Sequence, residues 1–221
     1  MQTHIFISTV SDGSMKSVLN NHSVARRNRI RFLDKQLIPP SETTLHTLSY
    51  TGDDYCRYKI VDTTTKGDGI VRHATIDADA VVTTTPNHAI LLPLADCVGA
   101  VIYHPIKNIL MVSHLGRHNL EQFGGTKCIQ YLIDQYSITP SELIVQLSPS
   151  AGSDAYPLFA FNNRSLQDVA IEQITAAGVL SANITPSTID TTKNRKYFSH
   201  SEFLKGNRKT DGRFAIVAVL R

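Results

Sequence analysis

The chain has 221 residues, 42% hydrophobic and 19% charged, with no Trp, three Cys and a formal net charge of +3. These values exclude a collagen-like, coiled-coil or disordered chain, and the length allows one large domain or two small ones with a self-sufficient core. Three scattered cysteines, Cys56, Cys97 and Cys128, are too few for a disulfide framework and point to a reducing compartment.

The first ten residues carry no basic leader followed by an apolar stretch. The longest apolar run, Ala89 to Ala95, contains Pro93 and stops at Asp96, far short of the roughly 20 residues of a bilayer span. A cytoplasmic protein with no membrane partner is expected. The charge is divided unevenly: residues 1 to 75 carry 10 basic and 7 acidic groups, 76 to 150 carry 3 and 6, and 151 to 221 carry 9 and 6. An excess this small argues against a nucleic-acid partner, and the basic clusters at Arg26 to Arg31 and Lys193 to Lys196 read as solvated faces or phosphate contacts.

In chain order, Thr3 to Val10 alternates as a strand and Ser11-Asp12-Gly13-Ser14 supplies a turn. Ser23 to Leu37 has apolar residues at helical spacing, with Ser23 as its cap and Pro39-Pro40 as its stop. Thr43 to Tyr50 and Tyr55 to Asp62 are β-prone pieces around Thr51-Gly52-Asp53-Asp54, a pattern that suggests a hairpin or a functional loop. Four short runs rich in Val, Ile and Leu follow: Ala80 to Thr85, His88 to Leu94, Val98 to His104 and Ile109 to Ser113. Continuous apolar runs of this length imply strands buried on both faces. Asn119 to Tyr136 is helical, and its Gly124-Gly125 pair lets another segment approach closely. Glu142 to Leu147 reads as a strand, Ser165 to Ala177 as a helix ended by Gly178, Asn183 to Asp190 as a strand, Ser199 to Lys205 as a short helix and Phe214 to Leu220 as a last strand. No repeat or long linker divides the chain. One mixed α/β domain spanning residues 1 to 221 is expected.

Two motifs carry the chemistry. Leu94-Ala95-Asp96-Cys97 and Ser113-His114-Leu115-Gly116-Arg117-His118 each lie where an apolar run stops, and strand ends are where α/β proteins build sites. If Val98 to His104 pairs with Ile109 to Ser113, Cys97 and His114 become neighbours. A thiol beside an imidazole serves as an activated nucleophile or as part of a soft-metal site; equally, each residue serves as ordinary core. His118 stands one helical turn after His114, His73 precedes Asp77 and Asp79, and Asp79 or Asp96 stands ready to orient a catalytic group.

The order of motifs resembles the YfiH-like family of laccase-domain proteins, which also goes by the names polyphenol oxidase, peptidoglycan editing factor and purine nucleoside phosphorylase. Ser8 to Ser17 resembles the family's opening "STR-x-GGVS", Val24 to Arg29 its "V-x-x-NR" helix, Asp79 to Thr83 "DALVT", Ala95-Asp96-Cys97 "ADC", and His114-Leu115-Gly116 the start of "HAGWRG". Tyr197-Phe198-Ser199 and Asp211-Gly212-Arg213 resemble "FFS" and "GR". The resemblance implies a single α+β domain with mixed β-sheets flanked by helices, related to cysteine-hydrolase-like folds. It also implies a zinc centre and activity on purine nucleosides with phosphate, by phosphorolysis or by adenosine deamination.

The resemblance puts Cys97 and His114 at two ligand positions but aligns the third, the His of "QVHG", with Thr51, and Thr is a poor zinc ligand. Three readings stay open. A zinc enzyme would complete its site with His73 or His118 and bind phosphate with Asn28, Arg29, Arg117 and Arg213. A metal-free hydrolase would use Cys97 as nucleophile and His114 as base, with Asp79 or Asp96 as orienter. A degenerate relative would bind a purine nucleoside or a protein without turnover.

Overall fold

In the computed structural model, which describes residues 2–16 and 22–221, ten strands form two sheets. The strands are β1 (Thr3–Ile7), β2 (Thr43–Leu45), β3 (Tyr58–Ile60), β4 (Ala80–Thr83), β5 (Ala89–Leu94), β6 (Val98–His104), β7 (Ile109–Leu115), β8 (Ile144–Leu147), β9 (Ile184–Thr185) and β10 (Phe214–Leu220). The helices are α1 (His22–Lys35), α2 (Arg117–Glu121), α3 (Gly124–Tyr136), α4 (Leu166–Ala176) and α5 (His200–Leu204). One sheet has the order β1-β10-β5-β2 and the other β3-β4-β7-β6-β8-β9.

Period-2 alternation in apolar strands dictates how these elements stack. In β10, Phe214, Ile216, Ala218 and Leu220 share a cluster with Val81 of β4, Val101 of β6, and Leu110 and Val112 of β7, which seals the two sheets face to face. The intervening Ala215, Val217 and Val219 pack with Phe32 and Leu33 of α1. On the far face of the six-stranded sheet, Ala100, Ile102 and Met111 meet Ile129 and Leu132 of α3 and Val169 and Ala170 of α4. The result is four layers: α1, the four-stranded sheet, the six-stranded sheet, then α3 with α4. Both inner layers are covered on both faces, which is why β4, β7 and β10 are wholly buried and why their sequences are mostly apolar. The mixed α/β, single-domain expectation therefore holds.

The antiparallel pairing of β6 with β7 is as expected, with Gly99 opposite His114. The glycine pair also does what its spacing implied. A Cβ on Gly125 would stand 2.8 Å from Gln173 Cβ, so α3 and α4 touch through it, and Gln173 reinforces the contact by accepting from Gly125 N at 2.9 Å.

Four expectations need correction. The Thr43 to Asp62 region is no hairpin: β2 pairs in parallel with β5 and β3 in parallel with β4, in different sheets. The helix expected over Asn119 to Tyr136 is two helices, because Phe123 takes a left-handed φ of 61° and starts α3 anew. The strand expected over Asn183 to Asp190 shrinks to Ile184–Thr185, and the first strand ends at Ile7, before a 3-10 turn over Val10–Asp12. The Ser23 cap also needs correction, since α1 begins at His22 and Ser23 is its second residue. Ser17, the end of the first resemblance segment, lies outside the described residues.

Candidate functional site

The pocket lies at one end of the two sheets, where β5 leaves the four-stranded sheet and β6 enters the other. The chain makes this crossing in three residues, Ala95 to Cys97, and Asp96 takes a φ of 74° to do so. Two hydrogen bonds hold that unusual conformation in place. Asp96 Oδ1 accepts from Thr191 Oγ1 at 2.7 Å, and Oδ2 accepts from Ser201 N at 2.7 Å. The Asp96 carboxylate is therefore a tie between the crossing and the segment leading into α5, not a partner of Cys97 or His114.

His114 enters from β7. Alternation puts Leu110, Val112 and His114 on the face toward the other sheet, and His114 is 4% exposed. Cys97 precedes β6 on the neighbouring strand, so the predicted juxtaposition is real: a Cβ built on Gly116 would sit 3.0 Å from His114 Nε2 and 3.1 Å from Cys97 Sγ. Glycine at 116 keeps open the small space that both groups border. Burial, together with the nearby His46, Lys16 and His118, pushes the His114 imidazole down to about 3. Burial and the Asp96 carboxylate push the Cys97 thiol up to about 12. At neutral pH the pair is an uncharged thiol beside an uncharged imidazole. That is the reverse of the activated thiolate a Cys-His hydrolase requires.

A cavity of about 470 Å³ opens above this pair, within the size range of small-molecule sites. Its lining combines two chemistries. Tyr50, Tyr55 and Tyr156 supply aromatic surface, and Lys16, Arg117 and Arg213 supply positive charge. His118 stacks on Tyr55 with ring centroids 4.8 Å apart, and Arg117 Nη2 donates to its Nε2 at 3.0 Å. Tyr50 stands edge-on to His114 at 6.5 Å. On the opposite wall, Asp211 Oδ1 accepts from Arg213 Nη1 at 2.7 Å and lies 3.1 Å from His200 Nδ1. Burial alone would raise the Asp211 carboxyl, but Arg213 and His200 outweigh it and hold it below the usual carboxylate range. Asp79 lies at the pocket floor and accepts from Arg57 N and Nε at 3.0 and 2.8 Å.

Of the residues singled out in the sequence, the structure gathers Asp79, Asp96, Cys97, His114, Arg117, His118 and Arg213 around this cavity. It places the others elsewhere. Asn28 is buried and donates to Ser14 O. Arg29 and His73 line a different cleft, and Thr51 is exposed, with its hydroxyl turned to Ser49. The sequence reading missed Lys16, Tyr50, Tyr55, Tyr156 and His200, which reach the cavity from four separate segments. It also missed His46, a fully buried imidazole whose Nε2 donates to Ala78 O at 2.8 Å and whose Nδ1 has no hydrogen-bond partner. Only the motifs Leu94 to Cys97 and Ser113 to His118 had a local signal.

The donor set can be tested against a zinc or copper centre. Among the described residues no group of three or more His, Cys, Asp or Glu side chains is placed to hold a metal ion. Cys97 and His114 are two donors; Asp79 and Asp96 are occupied by Arg57, Thr191 and Ser201; His118 accepts from Arg117; and His73 belongs to the other cleft. A catalytic zinc takes three protein donors, and this set does not fit one.

Two face-packed sheets between helices, with a cysteine and a histidine at the floor of a basic, tyrosine-lined pocket, define a mixed α/β protein with a candidate site at one end of its sheets. The chain belongs to the multi-copper polyphenol oxidoreductase laccase family, whose sequence model matches residues 15–164. No curated protein matches it by sequence. Among solved structures it is similar to the hypothetical protein YfiH of Bacillus licheniformis, with a TM-score of 0.85 and 17% identity over 100% of this chain and 93% of that one. It is also similar to YlmD of Geobacillus stearothermophilus, with a TM-score of 0.81 and 18% identity over 94% and 84% of the two chains. Neisseria meningitidis protein NMB0706, described by the family model DUF152, gives a TM-score of 0.75 and 18% identity over 99% and 94%. These likenesses carry the fold.

Proposed function

We propose that the Cys97–His114 pocket binds a purine nucleoside together with a phosphate group and cleaves the glycosidic bond by phosphorolysis. The observation that carries this reading is that one cavity is lined both by tyrosines, Tyr50, Tyr55 and Tyr156, and by cations, Lys16, Arg117 and Arg213. A flat base stacks on tyrosine faces, and a phosphate requires several converging cations. Nothing in the reading is routed through a metal, since the donor set does not fit one.

In this account Lys16, Arg117 and Arg213 bind and orient the phosphate so that one oxygen faces the anomeric carbon. Tyr50, Tyr55 and Tyr156 hold the base. As the phosphate oxygen bonds to the sugar carbon, the electron pair of the glycosidic bond passes to the base nitrogen. His200, oriented by Asp211, gives that departing base a proton. Gly116, with the neutral Cys97 and His114, shapes the floor and excludes water. Positioned acid catalysis of this kind contributes about 10² to 10⁴ in rate, so His200→Ala is expected to lower kcat by at least ~100-fold while changing adenosine binding little.

The second reading, a binder without turnover, has its own support: among the described residues no group of three metal donors is brought together, where the resemblance implied a zinc centre. One assay separates the two readings. Purified protein is incubated with adenosine or inosine in phosphate, and free base is measured beside equilibrium binding of the nucleoside. Base release that scales with phosphate supports phosphorolysis, and binding without release supports the second reading. The absence of both overturns the assignment of the pocket.

A further inference from the structure

Behind the first pocket lies a second cleft, of about 930 Å³, between the start of α1 and the segment from Gly69 to Ala74. Lys16, Arg26, Arg29, Arg72, His22 and His73 all line it, and no lining residue is acidic. Apolar wall is present too, from Leu45, Val71 and Ala74.

The clearest sign of a missing partner is Arg29. It is 8% exposed and forms no salt bridge among the described residues. Its Nη1 and Nη2 donate to the carbonyls of Met15 and Gly69 at 2.6 and 3.1 Å, and its Nε is buried with no partner. Burial, and then the like charge of Arg26, push its guanidinium down to about 10. Arg26 is pinned in the same way, by the carbonyls of Ile70 and Val71 at 2.7 Å, again with no carboxylate. Arg72 alone is neutralised, by Asp68 at 2.8 Å. Buried charge without a counter-charge is costly, and two guanidiniums fixed side by side by backbone carbonyls form a preorganised anion receptor.

We infer that this second cleft takes the phosphate group of a phosphorylated small molecule, met by Lys16, Arg26 and His73 over the buried charge of Arg29, with its organic part on Leu45, Val71 and Ala74. The site is separate from the nucleoside pocket; Lys16 is the one lining residue the two share.

The test uses the full chain and two variants that leave the first pocket untouched, Arg26→Gln and Arg29→Met. Titration calorimetry with inorganic phosphate and with adenosine 5′-monophosphate, at fixed ionic strength, is expected to show saturable binding of both. The nucleotide should bind more tightly, and each variant should weaken both ligands at least tenfold. If Arg29→Met fails to fold, Arg26→Gln alone decides. Unchanged affinity in Arg26→Gln, or adenosine binding that competes fully with the nucleotide, would overturn the inference and assign the phosphate to the first pocket. Because neither variant alters a residue of that pocket, the second-cleft inference can fail while phosphorolysis stands, and the reverse.

Discussion

At the scale of single residues, three side chains and one missing side chain decide what the pocket can do. Gly116 is the missing one: a Cβ there would meet His114 Cε1 at 2.6 Å, a distance at which the ring must shift. Gly116→Ala is expected to cost about 1 to 3 kcal/mol by overpacking and to abolish nucleoside binding, with the fold retained. Denaturant titration beside a binding assay checks both parts, and a variant that binds as well as wild type would show that the space over Gly116 is not used. Cys97 offers a second check. With its thiol pushed up to about 12, alkylation by iodoacetamide in the native protein should be slow up to pH 8.5, and fast labelling at pH 7 would reinstate the nucleophile reading. The Asp96 tie is a third. Its carboxylate makes two charged hydrogen bonds, each of the kind worth about 1.5 to 3 kcal/mol. Asp96→Ala should destabilise the protein by about 2 to 4 kcal/mol, read by the urea midpoint, whereas Asp96→Asn should lose less.

At the scale of elements, what was legible in the sequence depends on how local each signal is. The β6–β7 pairing follows from two apolar runs separated by Pro105 to Asn108, and it alone brings Cys97 to His114. The break between α2 and α3 had no such signal, because Phe123 in a left-handed conformation is a tertiary outcome that propensity does not foresee. The hairpin reading around Gly52 fails because β2 and β3 find parallel partners, β5 and β4, 46 and 22 residues further on in the chain. Those partners are the buried apolar strands, and burial outweighs a nearby turn signal. The candidate site divides in the same way. Its floor, at strand ends, could be read from motifs. Its walls are tyrosines and cations scattered from Lys16 to Arg213, and they carry no spacing that marks them in advance. Arg29 shows the converse: the resemblance offered it to the catalytic pocket, and the path of α1 carries it to the other cleft.

At the scale of the whole molecule, the layered core bears on stability as well as on the site. His46 and His114 are buried and neutral, pushed down to about 4 and about 3, in each case first by burial. Their unfolded forms take up a proton near pH 6.5 while the folded forms refuse it. Below pH 6.5 the unfolded state therefore binds more protons, and stability falls as pH drops toward 4. Each histidine contributes up to about 1.4 kcal/mol per pH unit over that window. Thermal unfolding should show Tm falling steeply from pH 7 to pH 5, and His46→Gln should flatten the slope. A Tm independent of pH in that range would place both rings in contact with solvent.

The central claim is that one cavity joins a nucleoside to a phosphate above an uncharged cysteine and histidine. Base release from adenosine and inosine, with deamination followed in the same samples and zinc and copper content determined, tests it most directly. The account predicts phosphate-dependent release that survives chelator treatment, falls at least ~100-fold in His200→Ala and disappears in Gly116→Ala. Release that requires stoichiometric metal, or nucleoside binding undisturbed by Gly116→Ala, would contradict it.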